Sequence, residues 1–215
     1  MVQRLGVWLV LTLFCVLAPW ARAAEQPLKI VAFGDSLTAG FGLAAGETFP
    51  VRLAAALSAK GLAVVVADAG VSGDTAAGGL DRLDWSVPDG TDAVILELGA
   101  NDALRGLSPE LTKKALDAIL RKLADRHISV LLAGMRAPRN LGLDFTRQFD
   151  AIYPALASTH VVVFYPFFLE GVATDPKLNQ KDGLHPNSAG VDEIVKRILP
   201  QVEELINRAR AARRS

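Results

Sequence analysis

From Leu28 onward the chain alternates short apolar runs with longer amphipathic stretches, and that alternation leaves few folds open to it. Residues 28–33, 62–67, 92–96, 129–132 and 161–164 have the length and aliphatic content of strands buried on both faces. Between and after them, residues 50–60, 75–83, 109–126, 144–157 and 188–211 carry apolar side chains at helical spacing. The alternation predicts βα units, and hence a single three-layer α/β/α domain around a mostly parallel five-stranded sheet. No internal repeat, low-complexity linker or compositional break marks a second domain over residues 24–215, and 51% hydrophobic residues suffice to fill one core.

Residues 1–23 stand outside this pattern. Arg4 precedes an apolar run from Leu5 to Trp20, and Ala21-Arg22-Ala23 has the small residues of an A-x-A cleavage site, so the segment predicts a secretory signal peptide. Broken at Pro19, the run falls short of the roughly 20 residues that cross a bilayer, so no stable membrane span is expected once it is removed. Cys15, the single cysteine, lies within it, and a mature protein in the periplasm or outside the cell would have neither disulfide nor thiol nucleophile. Of the 23 basic residues, Arg4 and Arg22 belong to the segment, and none of the 23 acidic ones does, which leaves the mature chain at −2. A nucleic-acid partner is not expected at that charge.

The chemistry concentrates in two segments about 150 residues apart, Gly34-Asp35-Ser36-Leu37 and Asp182-Gly183-Leu184-His185. A serine hydroxyl is a poor nucleophile at neutral pH, so acyl transfer needs an imidazole to take its proton and a carboxylate to hold that imidazole in the useful tautomer. Ser36, His185 and Asp182 are the residue types required. Two further segments, Gly70-Val71-Ser72-Gly73-Asp74-Thr75 and Leu98-Gly99-Ala100-Asn101-Asp102, each follow an apolar run. If the first three strands are parallel, all these loops leave the carboxyl edge of one sheet, where α/β folds bind ligands. There the Ser36 and Gly73 N–H groups and the Asn101 amide are candidate donors to a tetrahedral oxyanion.

Together these blocks make the chain resemble the SGNH (GDSL) hydrolases, with all four family blocks present in order. Longer strings, among them Phe33-Gly34-Asp35-Ser36-Leu37-Thr38-Ala39-Gly40, Leu96-Glu97-Leu98-Gly99-Ala100-Asn101-Asp102 and Ala151-Ile152-Tyr153-Pro154, are similar to the small bacterial periplasmic members that combine acyl-CoA thioesterase, arylesterase and lysophospholipase activities. The resemblance implies a flavodoxin-like sheet, a Ser36–His185–Asp182 triad and an oxyanion hole of Ser36, Gly73 and Asn101. It also implies a hydrolase of esters, thioesters or lysophospholipids that uses neither cofactor nor metal, and a monomer is expected. Ala100 stands where relatives often have a second glycine, an expected restriction on the loop that aims Asn101, because alanine avoids positive φ.

A metal-dependent phosphoesterase is the alternative reading, with Asp35, Asn101, Asp102, Asp182 and His185 as hard ligands. Three histidines and no His-x-His pair are few for a dinuclear site. Neither a G-x-G-x-x-G nor a Walker spacing is present to support nucleotide binding. Asp35 is expected to make turn hydrogen bonds, Ser72 to be no nucleophile, and His127 and His160 to sit structurally at the amino edge of the sheet. Loops 103–109 and 136–142 should border the site.

Overall fold

The computed structural model describes residues 26–214; the predicted signal segment, with Cys15, lies outside the described residues. Five strands, β1 (Leu28–Gly34), β2 (Val64–Gly70), β3 (Ala93–Glu97), β4 (Ser129–Ala133) and β5 (Val163–Tyr165), form one sheet in the order β2-β1-β3-β4-β5. Every pairing is parallel. β1 and β3 are buried along nearly their whole length, as expected of central strands covered on both faces, whereas β2 at the edge is half exposed.

Helix placement follows from handedness. A right-handed crossover puts its helix on a face set by the direction in which the chain steps along the sheet. The step from β1 to β2 runs one way and the three later steps run the other. Accordingly α2 (Phe49–Ala59) packs with α8 (Ser188–Ala212), and α3 (Ala76–Ser86) with α5 (Pro109–Asp125), which in turn meets α7 (Ile152–Thr159). The reversal also separates the loops after β1 and β3, opening a crevice at the carboxyl edge between them. At the opposite edge Arg213, in the basic tail, binds Asp92 and the carbonyls of Gln26 and Pro27, fastening the start of β1.

Several element boundaries shift by a few residues from the sequence reading, β5 for one starting at Val163 rather than 161, and two of the differences have a clear local reason. Expected from residue 62, β2 starts at Val64 because Leu62 closes α2: Leu62 N–H binds Leu57 O and Gly61 N–H binds Ser58 O, a Schellman-type end with Gly61 at φ +72°. The helix expected over 144–157 is two, α6 (Leu143–Asp150) and α7, since Pro154 has no N–H to offer the Asp150 carbonyl.

Candidate active site

β1 ends in a tight turn into the four-residue helix α1 (Ser36–Ala39). Asp35 caps it, its Oδ1 accepting from Leu37 N–H at 3.0 Å, which makes the turn residue expected from sequence. Ser36 is therefore the first helical residue, placed at the mouth of the crevice and only 9% exposed. Neither its N–H nor that of Gly73 has a hydrogen-bond acceptor among the described residues. Arg105 steadies the second of these, its guanidinium binding Gly73 O at 2.7 Å.

His185 reaches Ser36 across 149 positions of sequence because its loop is fastened to the loop after α1. Gln180 Nε2 donates to Phe41 O at 2.7 Å and to Pro186 O at 2.9 Å, and the Phe41 ring packs 4.7 Å from the imidazole. His185 Nε2 lies 3.0 Å from Ser36 Oγ, and Nδ1 lies 2.7 Å from Asp182 Oδ2. The other oxygen, Asp182 Oδ1, accepts from the Leu184 and His185 N–H groups at 2.9 and 3.0 Å. Those backbone donors, His185 N–H foremost, hold the Asp182 carboxyl down at about 2, so it is a carboxylate throughout the working range. The expected trio is thus in hydrogen-bonding order.

Asn101 stands in the first turn of α4 (Ala100–Leu104). The backbone turns into this helix at Gly99, whose φ of +115° and 2.1 Å clearance between a would-be Cβ and Tyr153 Oη admit only glycine. Ala100 does not have positive φ, so the restriction expected of it does not arise. Asn101 Nδ2 donates to Asp35 Oδ2 at 3.1 Å and to Asp74 O at 2.9 Å, so both amide hydrogens already have acceptors. The amide tethers the loops after β1 and β2 to the loop after β3.

Residues 32–192 match the sequence profile of the GDSL-like lipase/acylhydrolase family. The chain belongs to this family. It is 38% identical over 177 residues to an arylesterase of Vibrio mimicus, covering 82% of this chain and 87% of that one. Thioesterase 1/protease 1/lysophospholipase L1 of Escherichia coli K12 is 36% identical over 201 residues, 93% of this chain and 94% of its own. The crystal structure of AlinE4, an SGNH-hydrolase family esterase, superposes with a TM-score of 0.71 at 47% identity over 84% of this chain and 97% of that chain. The chain is a serine ester hydrolase of the esterase/thioesterase kind.

Beside Ser36 and His185, this GDSL-like hydrolase has an apolar cavity of about 430 Å³ lined by Leu37, Leu104, Met135, Pro138, Phe167 and Leu169. Both loops expected at the site contribute to it, through Leu104 and through Arg136 to Arg139. Asp102, a candidate metal ligand in the alternative reading, turns elsewhere: its oxygens take Ala76 N–H at 2.9 Å and the Thr112 hydroxyl at 3.0 Å. His160 pairs with Asp117 at 2.7 Å and His127 closes the end of α5, both at the amino edge.

Sequence reasoning missed Arg82. Its guanidinium, in α3, binds Asp74 Oδ2 at 2.6 Å, Ala69 O and Gly34 O at 2.9 Å each, and lies 4.2 Å over the Phe33 ring. The signal was available: Arg82 falls three residues after Gly79 and six after Ala76, on the stripe that α3 buries. It holds Asp74, whose carbonyl holds Asn101.

Asp35 is fully buried, and burial raises its carboxyl from 3.8 to about 6 against the pull of Leu37 N–H, Asn101 and the His185 charge. Between those two values the folded chain binds more protons than the unfolded one, so this group's contribution is favourable below 3.8 and is lost as pH rises to about 6. We therefore expect stability to fall by up to about 3 kcal/mol across that window. The carboxyls held low here, Asp182 among them, act at lower pH. Urea unfolding at stepped pH should show the slope in the wild type and a flattened one in Asp35→Asn; equal slopes would refute the assignment.

Proposed function

We propose that the chain is exported and hydrolyses carboxylic esters and thioesters with apolar acyl groups, including aryl esters, acyl-CoA and lysophospholipids, through an acyl-enzyme on Ser36. One observation carries the reading: Ser36 Oγ, His185 and Asp182 form a continuous hydrogen-bonded relay beside an apolar cavity. His185 Nε2 takes the Ser36 proton as Oγ attacks the carbonyl carbon, and the ionised Asp182 offsets the charge that forms on the ring. The same proton then goes to the leaving alkoxide or thiolate. Water enters, gives its proton to Nε2 and attacks the acyl carbon, and the proton returns to Ser36 Oγ as the acid departs.

The free Ser36 and Gly73 N–H groups suit a developing oxyanion. Asn101 would have to share a hydrogen now given to Asp35 or Asp74. Where that sharing occurs only in the transition state, Asn101→Ala should lower kcat by about 10²–10³ with KM little changed. A variant with wild-type turnover would remove Asn101 from the oxyanion hole.

A fluorophosphonate tests the whole reading. It should label Ser36 alone, at one equivalent per chain, with and without a chelator. Labelling at Ser72, or loss of labelling with chelator, would favour the metal-dependent alternative or another nucleophile. Rates over one series of acyl esters and thioesters of rising chain length would then define the substrate. The signal-like segment supports export, and N-terminal sequencing of protein from the periplasm should begin at Ala24.

A further inference from the structure

Glu97, the last residue of β3, is fully buried in the sheet interior, directly beneath the nucleophile turn. It pairs in register with Gly34, and the contact is so close that a Cβ on Gly34 would come within 2.5 Å of Glu97 Oε2 and 2.1 Å of Thr38 Oγ1. Oε2 accepts from the Thr38 hydroxyl at 2.7 Å and from Asp35 N–H at 3.3 Å, so one oxygen grips the turn on both sides of Ser36. Oε1 is buried without a hydrogen-bond partner. The proposed chemistry makes no use of this acid.

We propose that Glu97 is a positioning residue for the nucleophile, its carboxyl wedged against Gly34 and clamping Asp35 and Thr38 so that Ser36 Oγ is held toward His185. It does so as a neutral acid. The charged and titratable groups around it are Asp35 in the turn, Tyr153 in α7, and Arg82 in α3, whose guanidinium is spent on Asp74 and on backbone carbonyls. Among the described residues no cation pairs with Glu97. Burial, and next the Asp35 charge, drive its carboxyl well above the ordinary glutamate range. With Oε1 unpartnered, the neutral acid is the less costly form, because an unpaired ion there would cost far more than an unpaired neutral group.

A neutral acid has an isostere in glutamine. Glu97→Met, which removes the clamp, should lower kcat by about 10²-fold with KM nearly unchanged, as expected for a misplaced nucleophile. Glu97→Gln should restore most of that loss and keep the wild-type pH profile. In the infrared at about pH 8, above the titration of Asp35, the wild type should show the C=O stretch of a protonated carboxyl that is missing from Glu97→Gln. The inference rests on Ser36 as nucleophile, and phosphonate labelling separates the two. An unlabelled wild type sinks that reading, whereas a labelled wild type with a Met variant labelled equally fast sinks only the role of Glu97. A glutamine variant as impaired as the Met variant, or no protonated carboxyl band, would also overturn it. Should the Met variant fail to fold, the Gln variant and the infrared band decide.

Discussion

Ser36→Ala is expected to lower kcat by about 10⁶-fold while leaving the fold intact. The helix cap belongs to Asp35, so removing the hydroxyl deletes one hydrogen bond, that to His185 Nε2, and the turn keeps its hold through Leu37 N–H and Glu97. Residues that act as a unit lose their effect together: His185→Ala should cost about as much, and the double variant hardly more. Asp182→Asn should cost about 10⁴-fold. Asp182 now accepts on both oxygens, from two backbone N–H groups and from the imidazole. An amide must turn its NH₂ toward one set, and facing Nδ1 it would put the ring proton on Nε2, where the base is needed. Single-turnover rates at saturating ester, with circular dichroism for folding, check all four. A Ser36→Ala enzyme within about 100-fold of wild type would mean that another nucleophile carries the reaction.

Arg82→Met should destabilise the protein by about 3–5 kcal/mol, since it leaves the Asp74 carboxylate buried without its cation. Both side chains of this pair are largely removed from solvent, at 8% and 11% exposed. The carbonyls of Gly34 and Ala69 each lose the guanidinium as a donor in the same change, although Gly34 O keeps the Val71 N–H. Because Asp74 O is one acceptor of the Asn101 amide, activity should fall even where the variant remains folded. Arg82→Met combined with Asp74→Asn should recover part of the stability, because the stranded charge is gone. Urea unfolding checks both; a single-variant loss below about 1 kcal/mol would show the pair to be worth no more than a surface contact.

What could be read along the chain is whatever depends on near neighbours in sequence. Apolar run length and helical spacing set the number and order of strands and helices, and with the handedness of crossovers they bring the loops bearing Ser36, Gly73 and Asn101 to one sheet edge. Gly34-Asp35-Ser36 and Asp182-Gly183-Leu184-His185 pointed to the proposed chemistry because the cap, the turn and the Asp–His contact are all made within a few residues.

The rest was decided by groups that meet only in the folded chain. Whether an ionisable side chain is charged, paired or protonated depends on what excludes water from it, and for Arg82, Asp35 and Glu97 those neighbours come from four different segments. Ala100 looked like a constraint until the positive φ proved to lie on Gly99, where Tyr153 closes over the backbone. The direction of the Asn101 amide is likewise a tertiary fact: local sequence places the residue at the site, but its two acceptors lie 66 and 27 positions away, and only packing chooses them.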